Sequence, residues 1–121
     1  MGSVIVDVEL RAKNEVSIKA LVDTGFYGDF MMSPEMAEKA GVELRHERMR
    51  KLPDGRAVKV RYGGGEVGLM EQTTYGDVEV WEDIDLPEGI GALLGVTALE
   101  KLGFKVDPRT GKLERIELYL L

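Results

Sequence analysis

The chain has 121 residues, of which 44% are hydrophobic and 31% are charged, so we predict one ordinary globular domain that spans residues 1–121. It contains no cysteine, which excludes disulfide frameworks, thiolate nucleophiles and metal sites built on cysteine, and neither a metal nor another cofactor is predicted. The net charge of −6 is spread along the chain without a basic patch, so nucleic acid is not an expected partner.

The N-terminal segment has the pattern of a β-hairpin. Apolar and polar residues alternate over 4–10, and after a polar break at 11–15 the alternation resumes over 16–22. The hairpin leads directly into Asp23-Thr24-Gly25. The start of the chain has no basic stretch, and acidic residues interrupt its apolar run, so we predict neither a secretory signal nor a membrane span. A cytoplasmic location is the expectation.

A short helix and a second hairpin are predicted next. Ser33 is a favourable N-cap, Pro34 suits the first helical turn and Gly41 is a typical stop, which together predict a helix over 34–40. From position 43 the pattern is extended again. A turn signal at 53–55 and alternation over 58–62 predict a hairpin with an exposed tip.

The rest of the chain is predicted to be mostly β. Three glycines at 63–65 suggest a loosened or bulged sheet, followed by strands over 66–74 and 78–84 that a turn at 75–77 connects. Thr97 and Glu100 have capping-box spacing, so a second helix is predicted over about 96–102. Strands over 104–107 and 112–121 flank a turn at 108–111. The predicted fold class is therefore all-β with two short helices.

Two segments of the chain repeat each other. Residues 38–42 recur in similar form at 100–104, and each copy follows an apolar strand that ends in a glycine loop. The first of these strands ends at Asp23-Thr24-Gly25, and the second contains Leu93-Leu94-Gly95. We therefore predict that the two halves share one strand, loop and helix unit.

Asp23 is the candidate catalytic residue. Two apolar residues followed by Asp, a small hydroxyl residue and Gly occur by chance in roughly one per cent of chains this long. Two carboxyl groups, one ionised and one protonated, can hold a water between them and hydrolyse an amide without a metal. Because the chain contains a single Asp-Thr-Gly, the second carboxylate has to come from another copy across a two-fold axis.

These features together resemble the retropepsin-like aspartic peptidases. The chain is particularly similar to small prokaryotic and archaeal members whose motif continues Asp-Thr-Gly-Phe, which Phe26 matches, and the resemblance spans about residues 4 to 118. It implies a closed acid-protease barrel with two short helices, and a homodimer that acts as an endopeptidase on extended peptide or protein substrates.

The resemblance also implies roles for individual residues. Asp23 activates the water, Thr24 and Gly25 shape the catalytic loop, and a mobile flap corresponds to about residues 48–62. The residues expected to support the loop are Leu93, Leu94 and Gly95, and those expected to contact substrate are Phe26, Pro53, Asp54, Gly55 and Arg56.

Other interpretations stay open. Asp-Thr-Gly is also an ordinary turn sequence at a strand end. The chain departs from viral members at Phe26, where they have Ala, at the Pro-Asp-Gly-Arg flap tip, and at Val96-Thr97. The alternative function is therefore a non-catalytic peptide-binding or dimerisation module with a retropepsin-like fold, and a third hypothesis is a purely structural β domain.

Overall fold

A computed structural model describes residues 4–116 of the chain. In that range the protein forms nine β-strands and two short α-helices. In chain order they are β1 (Ile5–Arg11), β2 (Glu15–Asp23), β3 (Phe30–Met32), α1 (Pro34–Ala40), β4 (His46–Lys51), β5 (Ala57–Leu69), β6 (Gln72–Val80), β7 (Ala92–Gly95), α2 (Val96–Lys101), β8 (Phe104–Val106) and β9 (Leu113–Arg115).

Six of the strands close into a barrel. They follow the order β1-β2-β7-β3-β6-β5, and β5 pairs back onto β1 through residues 66–68. Strand β4 extends the sheet beyond β5, while β8 and β9 form a separate two-stranded sheet. The predicted all-β fold, a closed barrel with two short helices, is confirmed.

The interior of the barrel is filled by the apolar residues of alternating strands. Val8 on β1 pairs with Ile18 on β2, and both are buried, whereas their neighbours Asp7 and Lys19 are exposed and form an ion pair at 3.0 Å. Burial of each aliphatic side chain of this kind stabilises the folded state by roughly 1.5–3 kcal/mol relative to leaving it exposed to water. Further members of the core are Leu10, Phe30, Met32, Val67, Val78, Leu94 and Leu99.

The first helix forms where the sequence predicts it, over Pro34–Ala40. Ser33 Oγ accepts a hydrogen bond from the backbone N–H of Met36 at 3.3 Å, which satisfies one of the unpaired donors at the helix start. Gly41 ends the helix with a φ of 73°, a left-handed conformation that glycine adopts without steric cost.

The repeat seen in the sequence is also a repeat in space. Strands β2 and β7 lie side by side in parallel, and Ala20 pairs with Ala92 at one end while Asp23 pairs with Gly95 at the other. Because the two copies are in register, the loop that follows β2 and the helix α2 that follows β7 leave the sheet at the same edge. The unit predicted from the repeat therefore brings Asp23 next to the second repeat.

The predicted bulge at the three glycines is wrong. Strand β5 runs without interruption through residues 63–65, in regular antiparallel register with β6. The glycines serve close packing instead, since a Cβ on Gly63 would lie 1.9 Å from the carbonyl oxygen of Glu43. The backbone of the segment that connects α1 to β4 therefore packs directly against β5.

The turn predicted at 75–77 is also wrong. The hairpin between β5 and β6 turns at Met70 and Glu71, which have φ values of 47° and 69°, and β6 then continues to Val80. Positive φ values at both central residues are typical of the two-residue type I′ hairpin turn, whose backbone matches the twist of the flanking strands. Glycine or asparagine normally occupies these two positions. The sequence carries no turn signal there, so the true position was missed.

The second helix is predicted at the right place but with the wrong cap. It spans Val96–Lys101, and its N-cap is Gly95, which has no side chain to accept a hydrogen bond. Thr97, the predicted capping residue, instead donates its hydroxyl to Asp29 Oδ1 at 2.6 Å. Because β7 runs straight into α2, Thr97 already lies inside the helix and cannot serve as its N-cap.

The C-terminal strands are described only in part. Strands β8 and β9 pair around the turn at 108–111, as the sequence predicts. The rest of the strand predicted over 112–121, and the end of the resemblance at 118, lie in residues 117–121, outside the described part of the chain. Within residues 4–116, no helix has the length and apolar character needed to cross a membrane.

Candidate active site

Asp23 lies at the end of β2, where the strand gives way to an exposed loop. Its side chain is half-buried, and its Oδ1 accepts the backbone N–H of Gly25 at 2.9 Å. The backbone carbonyl of Asp23 accepts the N–H of Phe26 at 3.1 Å, which closes a tight turn. The carboxylate is thereby held in place by the backbone of its own loop.

Thr24 and Gly25 are both exposed beside this carboxylate. A Cβ on Gly25 would lie 3.2 Å from Asp23 Oδ1, closer than ordinary van der Waals contact. Glycine at this position therefore leaves the carboxylate uncrowded.

The second repeat supports the loop from behind. The backbone N–H of Gly95 donates to the carbonyl of Asp29 at 2.9 Å, and that of Val96 donates to the carbonyl of Phe26 at 2.9 Å. A Cβ on Gly95 would lie only 2.0 Å from the carbonyl oxygen of Gly28. Of the other two predicted supporting residues, Leu94 is buried in the core and Leu93 is half-buried on the neighbouring position of β7.

Phe26 is packed inside the loop in this structure. Its side chain is 8% exposed, and its ring approaches so closely that a Cβ on Gly28 would lie 2.5 Å from it and one on Gly95 2.7 Å. The guanidinium of Arg50 lies 5.1 Å from the ring centroid, within the range of a cation–π contact. Phe26 thus fills the space between the loop, β7 and β4.

The predicted flap tip is the exposed end of the β4–β5 hairpin. The backbone N–H of Leu52 donates to the carbonyl of Arg56 at 2.7 Å, and Asp54 accepts from both the backbone and the side chain of Arg56. Pro53 and Gly55 are exposed in the same turn. Among the described residues, no hydrogen bond or ion pair joins this tip to the Asp23 loop.

A group of charged residues at the stem of the hairpin was not predicted. Glu79 on β6 is fully buried, and Arg50 on β4 donates to it through Nε at 2.8 Å and through Nη2. Arg48 forms an ion pair with Asp77 at 2.6 Å and lies 3.6 Å from Glu79. The signal available in the sequence was a pair of arginines two positions apart, at 48 and 50, and a pair of acidic residues two positions apart, at 77 and 79.

Asp29, six residues after Asp23, was missed as well. It is 7% exposed and accepts hydrogen bonds from Thr97 Oγ1 at 2.6 Å, from the backbone of Asp77 at 2.9 Å and from Lys101 Nζ at 2.9 Å. Burial by itself raises the pKa of Asp29, but the hydrogen bonds from Thr97, Asp77 and Lys101 and the charge of Lys101 outweigh it and lower the pKa. The Asp29 carboxylate thus ties the loop that follows Asp23 to α2.

A solved structure with a similar architecture is the retroviral protease-like domain of Ddi1 from Leishmania major. The two structures share a TM-score of 0.55 and 21% sequence identity, and the match covers 93% of this chain and 87% of that one. At this level of identity the likeness establishes the fold, so the chain has a retropepsin-like fold. No protein-family model and no curated protein sequence matches the chain.

Proposed function

We propose that the chain is one subunit of a homodimeric aspartic endopeptidase, in which Asp23 of each copy supplies one of two catalytic carboxyl groups. The observation that carries the proposal is the position of Asp23, at the end of a barrel strand in register with Gly95 and on a loop that leaves its carboxylate accessible. The retropepsin-like fold supports the same assignment.

The chemistry needs both copies of Asp23. When two carboxyl groups lie in contact, like-charge repulsion keeps one protonated, so the pair holds one proton. The ionised carboxylate removes a proton from a bound water as the water oxygen attacks the substrate carbonyl carbon. The protonated carboxyl group gives its proton to the carbonyl oxygen, which forms a diol. As the diol collapses and the carbon–nitrogen bond breaks, the carboxyl group that took the water proton gives it to the leaving nitrogen. One diol hydroxyl returns its proton to the other carboxylate, which restores the pair with one proton.

Two features support the dimer and the substrate class. Thr24 is exposed beside Asp23, where a second copy across a two-fold axis can meet its hydroxyl. In the described residues, β4 pairs with β5 alone, so its other edge is available to an extended peptide that adds to the sheet. The flap tip continues from the end of this edge, whereas Phe26 is 8% exposed and packed inside the Asp23 loop, so it offers a peptide little surface. The cytoplasmic location expected from the sequence stays a prediction.

The decisive experiment compares Asp23→Asn with Asp7→Asn on an unstructured protein substrate at acidic and neutral pH. Asp7 is exposed on β1 and pairs with Lys19, so its variant is a matched loss of one carboxylate outside the site. We expect Asp23→Asn to abolish hydrolysis while sedimentation still gives a dimer, and Asp7→Asn to retain activity. Full hydrolysis by Asp23→Asn would refute the proposal.

A transition-state analogue distinguishes catalysis from mere peptide binding. A statine-type inhibitor carries a tetrahedral hydroxyl that mimics the hydrated carbonyl, and the aspartic mechanism predicts that it binds far more tightly than a substrate peptide of equal length. Equal affinities for the two peptides, measured by calorimetry, would instead indicate a binding module without catalysis.

A further inference from the structure

Arg50 joins three parts of the molecule that are far apart in the sequence. It belongs to β4 in the stem of the hairpin, it binds Glu79 on β6 of the barrel, and its Nη1 donates to the carbonyl oxygen of Tyr27 in the loop after Asp23 at 2.9 Å. Its guanidinium also faces the ring of Phe26, the residue two positions beyond Thr24. One side chain therefore connects the hairpin, the barrel and the catalytic loop.

The barrel determines where this guanidinium lies. Glu79 is fully buried, and a buried carboxylate is stable only if a partner compensates its charge and fills its hydrogen-bonding sites. The planar guanidinium provides two parallel donors for that purpose, which restricts its orientation as well as its position. Arg50 is consequently a fixed support and not a mobile surface charge.

The loop is packed against this support without free space. A Cβ on Gly28 would lie 2.6 Å from Arg50 Nη2 and 2.5 Å from the ring of Phe26, so only a glycine lets the three groups meet. The carbonyl of Tyr27 completes the contact through its hydrogen bond. The loop from Asp23 to Gly28 can shift only if these contacts break.

We propose that Arg50 is a positioning residue that holds the catalytic loop in place and, at the same time, fixes the stem of the flap. Among the described residues, no hydrogen bond or ion pair joins Arg50 to Asp23, so Arg50 acts through Phe26 and Tyr27. The second ion pair, Arg48 with Asp77, fastens the same strand to β6. Flap opening is then confined to the tip at 52–56, beyond the fastened strand. The catalytic consequence of this arrangement rests on the proposed peptidase function.

Three variants and one control test the proposal. Arg50→Met removes both hydrogen bonds to the buried Glu79 and leaves that carboxylate only the longer ion pair with Arg48 at 3.6 Å. The double variant Arg50→Met with Glu79→Met therefore removes the buried acid as well and keeps similar side-chain volumes. Arg50→Lys keeps a positive charge beside Glu79 but lacks the planar donors that reach Tyr27 as well. Arg45→Met is the control, because Arg45 is exposed and pairs with Glu43.

The first measurement is hydrogen exchange of the amides over 24–28, which does not depend on activity. We expect exchange there to be about 10-fold faster in the double variant and in Arg50→Lys, because a hydrogen bond to a charged donor is lost. Arg45→Met should exchange as the unmodified protein does. Unchanged exchange in both the double variant and Arg50→Lys would overturn the proposal.

The second measurement separates kcat from KM in the same proteins. A loosened loop misplaces the reacting carboxylate, so kcat should fall about 100-fold in the double variant with a smaller change in KM. A double variant that retains the melting temperature and the kcat of the unmodified protein also overturns the proposal. If the unmodified dimer fails to hydrolyse peptides, the peptidase assignment fails, and the exchange data still decide whether Arg50 holds the loop.

Discussion

Asp23 and Gly95 are paired residues at the ends of two adjacent parallel strands, β2 and β7. The two strands belong to the two copies of the internal repeat, so the candidate catalytic residue and its main backbone support occupy equivalent places in the repeat. The Asp23 loop packs so closely against the junction of β7 and α2 that several single substitutions have distinct expected effects.

Gly95→Ala should destabilise the fold strongly. The added Cβ would lie 2.0 Å from the carbonyl oxygen of Gly28, a backbone atom that cannot move without displacing the Asp23 loop. We expect a loss of about 2–3 kcal/mol in the free energy of unfolding, measured with urea. Gly68→Ala on β5 is the control, since its nearest neighbour would be a side-chain atom at 3.4 Å, and it should change stability by less than about 1 kcal/mol. Similar stability for the two variants would contradict the packing described.

Gly25→Ala should affect catalysis more than folding. Its Cβ would lie 3.2 Å from Asp23 Oδ1, which crowds the carboxylate while the surrounding loop stays exposed. Since a displacement of the reacting group by a fraction of an ångström lowers the rate, we expect kcat/KM to fall at least about 10-fold. The melting temperature should stay near that of Gly68→Ala. A variant with full activity would show that the space beside the carboxylate is not needed.

Asp29 should contribute to acid sensitivity. Its pKa is lowered in the folded protein, so the unfolded chain binds the proton more readily, and stability must fall as the pH drops. The contribution is complete above the unfolded pKa, at about pH 4, and is lost as the pH falls through the lower folded value. In Asp29→Asn, the free energy of unfolding measured with urea at several pH values should lack the part of the acid-dependent decrease that Asp29 causes.

Thr97→Val provides a graded version of the same test. It removes one donor to Asp29 and preserves the shape of the side chain, so the folded pKa of Asp29 should rise toward its ordinary value. The loss of stability between neutral and acidic pH should then be smaller than in the unmodified protein. An unchanged pH dependence in both variants would mean that Asp29 does not carry it.

Activity should depend on protein concentration. Each copy of the chain supplies a single Asp-Thr-Gly, so the proposed site is incomplete in a dissociated subunit. We expect specific activity to decline on dilution along the same curve as the dimer fraction measured by sedimentation. Specific activity that stays constant through dissociation would exclude a site shared by two copies.

Local patterns in the sequence predicted the first hairpin and both helices and pointed to the candidate catalytic residue, but they missed β3 and the turn between β5 and β6. Val8 and Ile18 lie inside the barrel because alternation places them on one face of a hairpin, and α1 begins at Pro34 because Ser33 caps it. The repeat predicted a second strand that ends at Gly95, and the structure pairs that strand in parallel with the Asp23 strand.

Contacts between distant residues were decided by the tertiary structure alone. Thr97 has the spacing of a helix cap, yet it binds Asp29, which is 68 residues away. Arg50 and Glu79 are 29 residues apart, and nothing but the pairing of β4 and β6 with the same strand, β5, brings them together. A sequence pattern reports what a residue does with its neighbours along the chain, whereas the partner of a buried charge depends on which strands the barrel places side by side.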